Sequence, residues 1–309
     1  MIKIIAGRLL QLIPVLWIIL TLTFFMSKGV PGGPFSAERQ ATPEVIARLN
    51  AYYGLDKPLW EQYIGYLSKV VRFDFGPSYT YQGESVNEVI ARSFPISLQI
   101  GTLAFVISLL LGIPAGVIAA VNRNKVLDYV PMSLSMLGIC LPTFVLGPVF
   151  ALVFGLIFKL APVSGWYGLN YMPLHPMVVP AFTLGLFYAA YIARLTRGGM
   201  LDILNQDFIR TARAKGVPEH QIILKHALRG GLLPVASFLG PAFAGLLSGS
   251  FVLEKVFNVP GIGQEFIKSV FNRDYPLILG TVAFFGVLIV LFNLVSDVLQ
   301  AWMDPRSRS

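Results

Sequence analysis

Charged residues are scarce in this chain. Asp, Glu, Lys and Arg make up 13% of its 309 residues, whereas hydrophobic residues make up 55%, and the mean hydropathy is +0.68. A soluble domain normally carries about 25% charged residues. Several stretches also approach or exceed the roughly 20 apolar residues that a helix needs to cross a bilayer. The composition therefore predicts an all-α, polytopic membrane helix bundle.

Cysteine and histidine are almost absent. The single cysteine, Cys140, lies in an apolar run, which excludes an internal disulfide and a cysteine-based metal site and predicts a packed thiol. The three histidines are His175, His220 and His226. The last two are six residues apart, which suits neither an i, i+4 metal pair nor a shared helix face. No metal site and no enzyme active site are therefore expected.

The chain also lacks a nucleotide-binding motif. It contains no G-x-x-x-x-G-K-[ST] phosphate loop, so no ATP site is expected on it. Its formal net charge of +8 is not carried by a soluble basic domain. Orientation in a membrane explains this charge better than binding of nucleic acid does.

Six membrane-spanning segments can be read from the hydropathy pattern. The first could be a signal peptide, but no small-x-small cleavage site follows it, so it is interpreted as an anchor. The third contains Pro142 and Pro148, whose freed backbone carbonyls need other partners. The approximate spans are 9–26, 96–121, 129–158, 176–195, 232–253 and 277–302.

The connections between these spans differ in their content of Lys and Arg. Short connections rich in Lys and Arg stay in the cytoplasm, so we predict that both termini and the 196–231 connection are cytoplasmic. The basic residues assigned to this side are Lys3, Arg8, Arg123, Lys125, Arg194, Arg197, Arg210, Arg213, Lys215, Lys225, Arg229, Arg306 and Arg308.

A polar segment follows the first span. The predicted division of the chain is an N-terminal end with the first helix over 1–27, an external insert over 28–95 and a core of five membrane helices over 96–309, which includes the 196–231 connection. The insert contains short helix-like stretches separated by prolines. It is either a solvated cap or a surface for a ligand or a delivery protein.

The most informative stretch is a basic helix-turn-helix element at residues 208–218. Asn205 or Asp207 is a candidate N-cap, Gly216 a helix stop, and Pro218 a first-turn residue of a second helix that ends near Leu228. Physical reasoning leaves two occupants for this element, anionic lipid or a protein partner. The candidate docking residues are Phe208, Ile209, Arg210, Thr211, Ala212, Arg213, Ala214, Lys215, Gly216, Val217, Pro218 and Leu228.

Residues 208–216 and 225–229 resemble the coupling-loop signature of ABC importer permeases of the peptide and nickel branch. Further stretches agree, and the start of the insert is most similar to the oligopeptide permeases. Arg210, Thr211, His226 and Arg229 depart from the general permease pattern of Glu, Ala, Ile and Pro, which weakens any inference of a glutamate salt bridge. The agreeing stretches are 31–35, 74–78, 258–263, 272–276 and 304–305.

This resemblance implies a permease subunit of an ATP-driven oligopeptide importer in the bacterial inner membrane. It implies partners: a second homologous permease subunit, two ATPase subunits or domains that carry ATP and Mg²⁺, an external peptide-binding protein and the peptide itself. Surrounding lipid is expected, and this chain would bind no cofactor. The pathway would be lined by the second to fifth helices, where Gly112, Pro114, Pro142 and Gly245 are expected to break helical regularity.

Two alternatives remain open from the sequence. One is a permease for a dipeptide or a nickel chelate. The other is a self-contained secondary transporter, which would normally place ionisable groups within the membrane. The spans carry almost none, and Asp297, near the end of the sixth, is interpreted as a structural contact to a basic residue of the cytoplasmic loops.

Overall fold

The computed structural model describes residues 2–29, 43–166, 173–247 and 251–303. The motifs at 31–35 and 304–305 lie outside these ranges. Within them the chain is helical and forms no strand beyond one isolated bridge between Pro77 and Ser85. The all-α prediction is therefore confirmed.

Fourteen α-helices are found in the described ranges, two of which continue into π-helical turns. The first half contains α1 (Ile2–Gly29), α2 (Pro43–Tyr53), α3 (Leu59–Val71), α4 (Val86–Val121), α5 (Val126–Cys140) and α6 (Thr143–Phe150), which runs into a π-helical segment (Ala151–Ile157). The second half contains α7 (Val178–Leu204), α8 (Asp207–Ala214), α9 (Glu219–Gln221), a π-helical segment (Ile222–Ala227), α10 (Leu228–Gly231), α11 (Leu233–Leu247), α12 (Phe251–Val256), α13 (Ile262–Phe271) and α14 (Tyr275–Met303).

Four stretches of the described chain are long and apolar enough to cross a membrane. They are Val86–Val121, Val178–Leu204, Leu233–Val256 and Tyr275–Trp302. A bent pair, Val126–Cys140 with Thr143–Ile157, is a fifth candidate, and the apolar part of α1, Ile13–Gly29, is shorter. The membrane bundle is confirmed, whereas the count of six spans and the side of the termini stay predictions.

The predicted third span is not a single straight helix. The chain breaks between Cys140 and Thr143, and the two flanking segments meet at 104°. Leu141 adopts φ −81° and ψ 121° before Pro142, because a proline disfavours the α conformation in the residue before it. Cys140 therefore lies at a helix end and is exposed in this chain, so the prediction of a packed thiol is wrong.

The second span begins earlier than the hydropathy indicates. Ser85 and Glu88 form a capping box: the Glu88 amide donates to Ser85 Oγ at 3.3 Å, and the Ser85 amide donates to Glu88 Oε2 at 2.7 Å. Helix α4 therefore starts at Val86, inside the region predicted as external insert. The S-x-x-E pattern was present in the sequence as a signal for this start.

Glycines bring α4 and α7 into backbone contact. A Cβ added to Gly116 would lie 2.5 Å from the Ala193 carbonyl oxygen, and one added to Gly112 would lie 2.7 Å from that of Ala189. Helix α4 runs unbroken through Gly112 and Pro114, and α11 runs unbroken through Gly245. Of the four residues expected to break helical regularity, only Pro142 does so. Gly112 and Gly245 serve close packing instead, and Pro114 lies within the unbroken α4.

The far end of the insert is fixed to the start of α14 by one carboxylate. Asp274 is fully buried. Its Oδ2 accepts hydrogen bonds from Ser78 Oγ and from the amides of Tyr79 and Thr80, the last two at 3.1 and 3.0 Å. Its Oδ1 accepts a bond from the Leu277 amide at 3.1 Å. This part of the insert is therefore packed on the core.

A second buried carboxylate joins α4, α12 and α13. Glu254 accepts hydrogen bonds from Ser97 Oγ at 2.7 Å and from the Gln264 amide at 3.0 Å. Ser97 Oγ in turn accepts a bond from the Ile262 amide at 3.0 Å. The 258–263 motif quoted above is the loop held by these bonds. We name the set Ser97, Glu254, Ile262 and Gln264 the α4 latch.

Candidate functional site

The predicted docking element follows directly after α7. Gln206 is the N-cap of α8, in an extended conformation and without a side-chain capping bond. The prediction of Asn205 or Asp207 as the cap is therefore wrong. Asn205 instead ends α7, where its side-chain amide donates to the Leu201 carbonyl at 2.8 Å. Asp207 lies in the first turn of α8, where the helix dipole stabilises a negative charge.

Gly216 ends α8 as the sequence predicts. Its φ is +76°, a left-handed conformation that glycine adopts without steric cost. The Gly216 amide donates to the Arg213 carbonyl at 3.0 Å, and the Val217 amide donates to the Ala212 carbonyl at 3.2 Å. These two bonds form a Schellman motif, which satisfies the last carbonyls of the helix.

The second helix of the element is longer and less regular than predicted. Pro218 is the N-cap of α9 and does not lie within its first turn. The helix passes through the π-helical segment and α10 without leaving helical geometry, so it ends at Gly231 and not near Leu228. Leu228 is half-buried at the start of α10.

One residue anchors α8 to the helix bundle. Ile209 is 0% exposed and packs in a cluster with Ala120 of α4, Met200 of α7, and Ile222 and Ala227 of the second helix. Ala212 and Val217 contact the same cluster and are half-buried. Ile209, Ala212 and Val217 are thus covered mainly by their own chain.

The remaining predicted residues form an exposed surface. Phe208 is 48% exposed, whereas its neighbour Ile209 is 0% exposed. We name this exposed set the α8 surface. It consists of Phe208, Arg210, Thr211, Arg213, Ala214, Lys215, Gly216 and Pro218.

The charges of the α8 surface are partly paired. Arg213 donates twice to Glu219 across the turn, at 2.7 and 3.2 Å, and this hydrogen bonding lowers the pKa of the Glu219 carboxyl. Arg210 makes a longer contact of 3.3 Å with Asp207. Lys215 forms no ion pair with any residue in the described ranges. The α8 surface is therefore cationic, and Lys215 is its charged residue without an ion pair in the described ranges.

A buried ion pair just before this element was not foreseen. Arg197 of α7 donates to both oxygens of Asp128, at the start of α5, at 2.6 and 2.8 Å. Asp128 is almost fully buried and also accepts a bond from the Asn124 amide at 3.0 Å. In the sequence, Arg197 served only to infer orientation. Partners so far apart in a single sequence leave no local signal.

Other candidate residues lie apart from this element. Among the described residues no group of His, Cys, Asp and Glu could hold a metal ion. Asp297 is half-buried on α14, next to Ser296, whose hydroxyl donates to the Ala236 carbonyl at 2.6 Å. The predicted contact of Asp297 with a basic loop residue stays a prediction.

Comparison with known proteins covers the whole length of the chain. Residues 112–309 match the family described as binding-protein-dependent transport system inner membrane component. Residues 1–101 match the family described as binding-protein-dependent transport system membrane component, N-terminal.

Individual relatives give the same result. The oligopeptide transport system permease protein OppB of Haemophilus influenzae is 46% identical over 308 residues, covering 100% of both chains. The protein of the same name from Escherichia coli K12 shows the same identity and coverage. The dipeptide transport system permease protein DppB of Bacillus subtilis is 45% identical over 289 residues, covering 94% of this chain and 92% of its own.

Solved structures agree on the fold. The inward-facing MetNI methionine ABC transporter has a chain that aligns with a TM-score of 0.56 at 18% identity, covering 70% of this chain and 96% of that one. An amino acid ABC transporter solved with histidines aligns with a TM-score of 0.52, covering 70% and 94%. The chain therefore belongs to the family of binding-protein-dependent transport system inner membrane components, and it is a permease subunit of an ABC transporter.

Proposed function

We propose that this chain is a permease subunit of an ATP-driven oligopeptide importer, and that it pairs with a homologous permease to enclose the pathway. The support for the substrate is the end-to-end match with relatives named as oligopeptide permeases. An external peptide-binding protein delivers the substrate, and two ATPase subunits supply the energy. ATP and Mg²⁺ are bound by those subunits, because this chain contains no phosphate loop.

The α8 surface is the place where we propose that an ATPase subunit docks. The observation that carries this proposal is the difference in solvent exposure between Ile209 and its neighbours. Ile209 is fully buried against α4 and α7, whereas Phe208 and the basic side chains around it are exposed. A partner that binds these exposed groups therefore holds an element that is fixed to two long helices.

The chemistry of the surface suits a protein groove. Phe208 offers an exposed aromatic ring of the kind that dominates binding energy at protein interfaces. Lys215 and Arg210 can donate charge-assisted hydrogen bonds to carboxylates or to helix C-terminal carbonyls of the partner. Rigid-body motion is transmitted through such a contact because α8 is packed and capped at its end.

The docking proposal is tested in the assembled transporter with its binding protein and peptide. Lys215→Glu and Phe208→Ala should each lower peptide-stimulated ATP hydrolysis by about ten-fold, since each removes an interface contact. Lys125→Glu is the matched control, because Lys125 is an exposed lysine at the start of α5, outside the α8 surface and outside both coupling-loop stretches. Equal losses in Lys215→Glu and Lys125→Glu would contradict a specific dock.

A stronger perturbation of the same surface is Gly216→Leu. It adds a bulky side chain to the turn at a position where the chain itself has nothing within 4 Å. Unchanged peptide-stimulated ATP hydrolysis in this variant would show that the turn does not enter a partner groove. Uptake by this chain alone in liposomes would instead favour a secondary transporter.

A dipeptide substrate is the second candidate, because the DppB relative is almost as similar as the OppB relatives. Peptides of two to six residues, each delivered by the cognate binding protein, separate the two. ATP hydrolysis stimulated by tetra- and pentapeptides supports the oligopeptide assignment. Stimulation by dipeptides alone overturns it.

A further inference from the structure

A cavity of about 260 Å³ opens between the end of α1, helix α3 and the start of α14. None of the proposed ATPase contacts lies near it. Its walls are largely aromatic, and lysines from three segments reach it. The lining residues that matter here are Phe24, Lys28, Lys57, Tyr66, Lys69 and Tyr275.

Lys28 brings a positive charge into this cavity without a counter-charge. Its ammonium group donates to Gln62 Oε1 at 2.6 Å and lies 5.1 Å from the centroid of the Tyr275 ring. It forms no ion pair with any residue in the described ranges. Because the group is half-buried, part of its hydration is lost, and these contacts replace it without neutralising the charge.

Tyr66 supplies an unused donor in the same cavity. Its hydroxyl is buried and has no hydrogen-bond partner in the described part of the chain. Its ring is stacked on that of Phe24, with 5.8 Å between the ring centroids. A buried hydroxyl without a partner costs free energy, and an oxygen acceptor in the cavity would remove that cost.

The Lys28 ammonium and the Tyr66 hydroxyl together favour a ligand with an anionic oxygen. Lys57 and Lys69 add further positive charge to the lining, against the single carboxylate of Glu61. The rings of Phe24 and Tyr275 lie 6.0 and 5.1 Å from the Lys28 ammonium, at cation–π distance. A phosphate or carboxylate group matches this donor set, whereas a cation or a neutral apolar group does not.

The position of the cavity decides between a free anion and a lipid. Lys28 lies in the last turn of α1, directly after its apolar stretch. The turn before it presents Leu22, Phe25 and Met26, which are all strongly exposed. Lysine and tyrosine at the end of an apolar helix mark the headgroup level of a bilayer. An acyl chain can therefore lie along α1 while its headgroup reaches the cavity.

We propose that this cavity binds the headgroup phosphate of an anionic phospholipid, held by the Lys28 ammonium and the Tyr66 hydroxyl, with its acyl chains along the exposed face of α1. The lipid then stabilises the contact between α1, the insert and α14. This site is independent of the transported substrate.

Native mass spectrometry of the complete transporter, exchanged into phosphatidylglycerol or phosphatidylcholine, tests the proposal. Wild type should retain phosphatidylglycerol, and Lys28→Gln should retain it about ten-fold less, as expected for loss of one charged hydrogen bond. Tyr66→Phe should reduce retention by several-fold, and Lys28→Arg should preserve it. Phosphatidylcholine carries a cationic choline group that the three lysines of the cavity repel, so its retention should be low and should not differ among the variants.

The control is Lys255→Gln, which removes an exposed lysine of α12 that does not line the cavity. An equal loss of phosphatidylglycerol in Lys255→Gln would show general surface charge and overturn the proposal. Displacement of the bound lipid signal by millimolar inorganic phosphate would show a site for free anions and overturn the lipid assignment. Equal melting temperatures of Lys28→Gln and Lys28→Arg, measured without lipid, verify that both variants are folded.

Discussion

Replacing Gly216 by alanine isolates the free energy of the left-handed backbone at the turn of the proposed docking element. A Cβ at this position meets no atom within 4 Å, yet the residue has φ +76°. No steric clash therefore contributes to the cost, which comes from the left-handed backbone alone. A non-glycine residue in this region is disfavoured by roughly 1–2 kcal/mol. The reduced entropy of the unfolded chain offsets part of that cost.

A matched control lies only eighteen residues earlier in the sequence. Gly198 is also exposed and also has nothing within 4 Å of an added Cβ, but it lies inside α7 with an ordinary helical φ. Alanine there should stabilise the helix by up to about 1 kcal/mol. Both variants add a methyl group where no atom lies within 4 Å. They differ only in the effect of the backbone conformation, which makes alanine destabilising at position 216 and stabilising at position 198.

The effect is read out by hydrogen exchange of the assembled complex, followed over the amides of α8 and the turn. A loss of about 1 kcal/mol predicts roughly five-fold faster exchange of the Gly216 and Val217 amides in Gly216→Ala. In Gly198→Ala the same amides should keep the wild-type rate. Identical exchange of the turn in both variants would refute the assignment of a Schellman motif that requires glycine.

Three further perturbations follow from buried or paired groups. Asp128→Asn leaves Arg197 half-buried without its counter-charge, so the melting temperature of the complex should fall by an amount equivalent to about 2 kcal/mol or more, and Asp128→Asn with Arg197→Gln should recover part of this. Gly116→Ala places a methyl group 2.5 Å from the Ala193 carbonyl oxygen, so thermal unfolding should show a loss of about 1–3 kcal/mol; unchanged melting would mean that α4 and α7 separate easily. Hydrogen bonding from Arg213 lowers the pKa of Glu219 in the folded state. The Arg213–Glu219 pair therefore stabilises the turn by at most about 1 kcal/mol, and this stabilisation should be constant from pH 6 to 8. It should be lost as the pH falls below the ordinary glutamate value of 4.5, and exchange of the turn amides in Glu219→Gln should lack this pH dependence.

Local signals in the sequence were sufficient for the helical class and for the end of α8. Gly216 ends α8 through contacts with residues adjacent in the chain, so the local sequence is enough to predict this role. The capping box of Ser85 and Glu88 is of the same kind, and it would have placed the start of α4 correctly. Hydropathy outweighed it in the prediction because the first turns of α4 are more polar than its middle.

Features that depend on partners far apart in sequence could not be read in the same way. The pairing of Asp128 with Arg197 and the burial of Asp274 arise only when separate helices meet. Phe208 and Ile209 are both candidate docking residues in the sequence, but only the packed bundle shows that Ile209 is buried and Phe208 is not. The angle at Pro142 is similarly a tertiary property, since proline permits a break without fixing its direction.

Helix α4 connects the proposed docking element to the α4 latch. Ala120, in its last turn, packs with Ile209, and Ser97, in the first half of the helix, belongs to the α4 latch. The 23 helical steps from Ser97 to Ala120 span about 35 Å at the helical rise of 1.5 Å per residue. No break interrupts this stretch, and Gly112 and Gly116 hold it directly against α7. Because a packed core resists continuous deformation, we infer that a force applied at α8 moves α4 and α7 as one body and reaches the 258–263 loop through the α4 latch.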